Sequence, residues 1–91
     1  MVDKKNSGAK FPKVSFSTFI NSIAASAFVH LGMIKDPMSG QISKNITAAK
    51  QTIDILGMLE EKTKNNLNQE EENLLKNLLH DLRLNYVKAD K

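Results

Sequence analysis

The sequence predicts an all-α protein built from three amphipathic helices. Apolar residues recur at helical spacing in three segments, no segment alternates as a strand does, and residues suited to helix caps and turns separate the segments. The 91 residues are enough for one domain. A chain of this size buries only about 60–65% of its unfolded surface. We therefore expect a single helical domain over residues 14–91, preceded by a leader over residues 1–13.

The leader carries the net charge of the chain. Residues 1–13 hold four lysines and one aspartate, which sum to +3, whereas residues 14–91 hold nine basic and nine acidic residues and sum to zero. The leader has no apolar periodicity and is predicted to be disordered. A basic tail of this kind improves solubility or serves as an arm for polyanions. The neutral remainder, with few aromatic residues, argues against nucleic-acid binding by the folded part.

The first predicted helix, about residues 17–31, contains no charged side chain. No Lys, Arg, Asp or Glu occurs from Val14 to Met33, although 25% of all residues are charged. Ser15 or Ser17 can cap its start, and Gly32 can end it with a left-handed residue. One half of its circumference is apolar, and the other half carries small, uncharged side chains. A helix on the outside of a small soluble monomer needs a charged face, and this one lacks it.

We therefore expect the first helix to pack against its own copy in a symmetric homodimer. An apolar patch of more than a few hundred Å² rarely stays exposed, and a homodimer is the commonest way to bury it. Small side chains would also let a second backbone approach closely. The sequence offers two candidate contact faces, one formed by Ser22, Ala25, Ser26 and Val29 and the other by Phe28 and Ala24.

Residues 33–45 are predicted to connect the first two helices. Asp36, Pro37 and Gly40 have turn chemistry, because Asp accepts from the backbone, Pro fixes its φ and Gly tolerates positive φ. The segment is either a plain loop or a recognition loop, since Met33 and Met38 are unusually apolar for such a place.

The second helix is predicted over about residues 46–63 with Asn45 as its cap. Its apolar arc spans about 200°, which is more than a three-helix core should absorb. Gly57 costs about 1 kcal/mol in a helix interior, so we expect a close crossing with another helix at that point.

The third helix is predicted over about residues 69–87. Asn68 and Glu71 form a capping-box pattern at its start. Leucines line one face, and His80, Leu84 and Val87 form a smaller patch on the back. The short turn before this helix predicts that the second and third helices form an antiparallel hairpin.

Four residues are candidates for a functional role: His30, Asp36, Arg83 and Tyr86. His30 lies in the apolar arc on the last turn of the first helix, where it acts as a structural residue or as a metal ligand or proton carrier. A metal site would need further ligands, and neither Glu-x-x-His nor His-x-x-x-His spacing occurs. Cysteine, a Gly-x-Ser-x-Gly motif and a phosphate-binding glycine loop are also absent. We therefore expect neither catalysis nor a cofactor.

Arg83 is the only arginine among thirteen basic residues. Lysine suffices for solubility, so a single arginine indicates a use for the planar guanidinium. It forms either an intramolecular pair with a carboxylate of the second helix or the connecting loop, or a clamp at an interface. Asp81 and Tyr86 flank it and are candidates for the same polar patch.

Several short segments together resemble one family of proteins. They are residues 16–20 (FSTFI), 29–32 (VHLG), 36–37 (DP) with Gly40, 49–54 (AKQTID), 56–63 (LGMLEEKT), and 81–83 (DLR) with 86–87 (YV). Over about residues 14–88 the chain resembles a family of small bacterial proteins known as a domain of unknown function, number eighteen-forty-four in its series. Ser39 stands where that family usually has Thr, and His80 where an aromatic residue is frequent. The resemblance implies a bacterial source and a small helical domain, and it implies no activity.

The leading functional hypothesis is a non-catalytic protein–protein interaction module, a homodimeric adaptor or small regulatory subunit. We expect it in the cytoplasm, because the stretch that follows the basic leader is too polar for a secretory signal and no run approaches the roughly 20 apolar residues of a membrane span. One alternative is a nucleic-acid-associated protein that uses the lysine tail. Another is a small-molecule or metal carrier centred on His30.

Overall fold

A computed structural model describes residues 14–90, and within them the chain forms three α-helices and no strand. The helices are α1 (Phe16–His30), α2 (Ile46–Lys62) and α3 (Gln69–Ala89). All three pack against one another. The all-α prediction is confirmed, and the predicted helix boundaries lie within two residues of the observed ones. The predicted disordered leader lies outside the described residues.

Each helix begins at a side-chain cap that the sequence predicts. Ser15 Oγ and Asn45 Oδ1 each accept a hydrogen bond from the backbone N–H three residues later, at 3.1 and 3.0 Å. Asn68 Oδ1 accepts from the backbone N–H of Glu71 at 2.8 Å, and Glu71 Oε1 accepts from the backbone N–H of Asn68 at 3.0 Å. These bonds satisfy amide groups that have no partner within the helix. Local chemistry therefore fixes where the helices start.

The three helices share one small core that contains only apolar side chains. In each helix the buried residues recur every three or four positions, so each helix turns a single stripe inward. Within residues 14–90 no polar or charged side chain is buried. The core consists of Ile20, Ala24, Ala27, Leu31, Ala49, Ile53, Leu56, Leu75, Leu79 and Leu82.

The segment between α1 and α2 is a hydrogen-bonded turn. Asp36 Oδ1 accepts from the backbone N–H of Met38 at 2.8 Å, and the carbonyl of Asp36 accepts from the N–H of Gly40 at 2.7 Å. The N–H of Asp36 donates to the carbonyl of Gln41 at 2.9 Å. Gly40 has a φ of +73°, a conformation that favours glycine. The predicted turn chemistry is confirmed, and it holds Met38 outward with 92% of its surface exposed.

None of the helices in the described part of the chain combines the length and apolar character that crossing a bilayer requires.

Candidate interaction surface

The outer face of α1 is exposed and carries no charge. Thr18, Ser22 and Ala25 are exposed and Val29 is half-buried, while the core residues of this helix occupy the opposite side. These four positions, which we name the α1 seam, are spaced by four, three and four residues. That spacing is the heptad spacing of helices that pack side by side. Ser26 is exposed beside the seam, so all four residues of the first predicted contact face are at least partly accessible.

Hydroxyl groups at the N-terminal half of the seam have hydrogen-bond partners close by in the same helix. Ser22 Oγ donates to the backbone carbonyl of Thr18 at 3.1 Å. Ser15 Oγ donates to Thr18 Oγ1 at 2.9 Å. Burying a hydroxyl costs free energy chiefly when it loses its hydrogen bonds. The Ser22 hydroxyl can therefore be removed from water at low cost, because its donor already has an acceptor within the helix.

The second predicted contact face is largely used inside the protein itself. Ala24 is 2% exposed and belongs to the core, and Phe28 is half-buried and packs against that core. The prediction that Ala24 is available to a second copy is therefore wrong for this structure. Ala24 lies two residues after Ser22, which places it around the helix on the inward side.

A shallow depression of about 270 Å³ adjoins the C-terminal end of the α1 seam. Ala25, Ser26, Val29 and His30 line one side, and Asp36 and Pro37 of the turn line the other. The fold thus brings two of the four candidate functional residues, His30 and Asp36, to the same place as three predicted contact residues.

His30 ends α1 as a half-buried residue whose backbone carbonyl accepts from the N–H of Asn45 at 2.7 Å. This bond ties the end of α1 to the start of α2. Across residues 14–90, no group of three or more His, Cys, Asp or Glu side chains is arranged to hold a metal ion. Asp36 supplies the one carboxylate that lines the depression beside His30. The role of His30 as a carrier stays a prediction.

Arg83 lies against Gly57 rather than beside a carboxylate. A Cβ atom added to Gly57 would lie 3.1 Å from Arg83 Nη2. Apart from the backbone of its own helix and the two neighbouring residues, no other atom would lie within 4 Å of it. The expected close helix crossing at Gly57 is therefore replaced by contact with a guanidinium. Within residues 14–90 the one ion pair joins Lys50 and Asp54, at 2.9 Å, so the predicted pairing of Arg83 inside the chain is wrong for this part of the structure.

Tyr86 is half-buried against the core and lies with Arg83 at a hollow between α2 and α3. The hollow has a volume of about 210 Å³ and is lined by Lys50, Ile53, Asp54, Arg83, Tyr86 and Val87. Asp81 does not line it, and the polar patch around Arg83 stays a prediction. The exposed side chains of Leu84 and Val87, predicted as a patch on α3, have 48% and 58% of their surface accessible.

Fold and surface together define a small three-helix protein with one helix face free of charge. The family model described as a domain of unknown function, DUF1844, matches residues 13–88. The chain belongs to this family, as the resemblance in the sequence indicated. Neither the curated proteins nor the solved structures include a significant match to the chain.

Proposed function

We propose that the protein is a cytoplasmic, non-catalytic interaction module that forms a homodimer through the α1 seam and serves as an adaptor or small regulatory subunit. The observation that carries this proposal is the exposed outer face of α1, which lacks charge. The outer faces of α2 and α3 do carry charge, for example Lys50 and Asp54 on α2 and Lys76 and Asp81 on α3, all of them exposed. An uncharged outer face is thus a property of α1 and is not shared by α2 or α3.

A second copy of the chain suits this face better than a charged partner does. In a two-fold symmetric contact the same patch meets itself, so any charge near the axis would face a like charge. The α1 seam has none and avoids that repulsion. Its small side chains allow a close approach of two helix backbones, and its heptad spacing keeps contacts in register over about 17 Å of helix.

Two exposed apolar side chains extend the contact area beyond the seam. Phe19, which is 51% exposed, lies near its N-terminal end, and Met38, which is 92% exposed, follows Pro37 at the other. We also propose that α2 and α3, which only residues 63–68 connect, run antiparallel as a hairpin that supports α1 from behind.

Single-cysteine crosslinking tests the location of this contact, because the chain contains no native cysteine. Ser22→Cys and Ala25→Cys place one thiol on the seam, and Gln51→Cys places one on the exposed side of α2 as a control. Under mild oxidation we expect a covalent dimer from at least one seam variant and little from the control, since a disulfide needs Cβ atoms within about 4.5 Å. Equal crosslinking of all three variants, or none in the seam variants, would contradict the proposed interface.

A further inference from the structure

The hollow between α2 and α3 has a basic group with no acidic partner in the described chain. Arg83 forms no ion pair within residues 14–90. The acid that lines the hollow, Asp54, accepts a hydrogen bond from Lys50 Nζ at 2.9 Å, and this hydrogen bond raises the pKa of Lys50. Glu60 lines the adjoining depression together with Arg83 but makes no ion pair with it. Among residues 14–90, therefore, no carboxylate occupies the guanidinium.

Gly57 leaves space for the guanidinium of Arg83 beside α2. Because glycine has no Cβ, Arg83 Nη2 can lie 3.1 Å from the point that a Cβ would occupy, over the α2 backbone. A guanidinium presents a planar fork of donors and can bind a carboxylate through two parallel hydrogen bonds. Tyr86 lines the same hollow.

Apolar side chains lie beside Arg83, among charged ones that include Lys50 and Asp54. Ile53 and Val87 line the hollow, and Leu84 joins Val87 at the neighbouring depression. Leu84 and Val87 are about half exposed, at 48% and 58%. At about 210 Å³ the hollow is smaller than the roughly 300–1,000 Å³ of a small-molecule site, and it opens onto the surface. A side chain from a protein segment fits such a place better than a whole cofactor does.

We propose that this hollow binds a carboxylate presented by an apolar segment of a partner protein. Arg83 forms the ion pair, and Leu84 and Val87 contact the apolar residues beside the acid. The site shares no residue with the α1 seam and does not depend on self-association. With the seam occupied by a second copy, each dimer would present two such sites.

The test is a titration of the isotope-labelled full chain with a blocked tripeptide of two leucines and one glutamate, followed by amide chemical shifts. The matched ligand replaces the glutamate with glutamine and keeps the shape without the charge. We expect shifts centred on Gly57, Arg83 and Val87, with the glutamine peptide about fivefold weaker or more. Arg83→Gln should weaken the glutamate peptide by a similar factor, whereas Lys88→Gln, which neutralises an exposed cation on the same helix outside both depressions, should not.

Three results would overturn the proposal. The first is equal binding of the two peptides, and the second is an unchanged titration for Arg83→Gln. The third is the absence of shifts at the hollow up to about 10 mM peptide, where even a weak contact would register.

Discussion

Replacing Gly57 with alanine should stabilise the protein, and the structure gives the size of the effect. Alanine is favoured over glycine in a helix interior by about 0.8–1.0 kcal/mol. The new methyl group would meet Arg83 Nη2 at 3.1 Å, so the guanidinium must retreat by about 0.4 Å to reach ordinary contact. The end of a flexible, exposed side chain can make that movement for a few tenths of a kcal/mol. We expect a net gain of about 0.5–0.8 kcal/mol, which corresponds to roughly 2–6 °C in Tm for a domain of this size.

Thermal and denaturant unfolding followed by circular dichroism measures this gain. The matched background is Arg83→Ala, in which no guanidinium covers Gly57. There Gly57→Ala should deliver the full 0.8–1.0 kcal/mol or so, and the difference between the two backgrounds gives the Gly57–Arg83 contact energy. A loss of more than about 1 kcal/mol in both backgrounds would refute the reasoning. It would mean that a helix backbone, which cannot retreat, lies against Gly57.

Three further substitutions test the interface, the core and a helix cap. Ala25→Glu should dissociate the proposed dimer, because it places two like charges opposite each other at the α1 seam. Met58→Glu, at an exposed position of α2, should leave the dimer intact, and sedimentation velocity of both variants measures the difference. Leu79→Ala removes a side chain that is 1% exposed and should cost about 2–5 kcal/mol of unfolding free energy in a urea titration; a cost below about 1 kcal/mol would show a loosely packed core. Asn68→Ala removes the side-chain acceptor of the capping box and leaves the backbone N–H that donates to Glu71, so it should lower the unfolding free energy by about 1 kcal/mol. The same change at exposed Asn77 should have little effect, and equal losses would contradict the role of the cap.

Local features of the fold are predictable from the sequence because their causes are local. A capping side chain bonds an amide three residues away, so Ser15, Asn45 and Asn68 mark the helix starts without reference to the rest of the chain. Gly32 and Gly40 have φ values of +82° and +73°, and glycine accepts these angles at little cost. The family match over residues 13–88 rests on such short segments taken together.

Features that depend on how helices pack are less accessible from the sequence. Half of the α1 circumference is apolar, so periodicity alone does not decide whether Ala24 lies in the core or at a contact with a second copy. The packing of α2 and α3 decides it, and Ala24 is 2% exposed. Likewise, a lone arginine and a glycine on separate helices give no signal that they touch. Their contact at 3.1 Å arises only when α3 lies along α2.

The most direct test of the central proposal is the solution mass of the full chain, measured by light scattering over a wide concentration range. The chain has a mass of 10.1 kDa, and self-association through the α1 seam predicts twice that mass, 2 × 10.1 = 20.2 kDa. We expect the larger mass to persist at high salt, because the proposed contact contains no ion pair for salt to screen. A mass of 10.1 kDa at every concentration would contradict the proposed dimer.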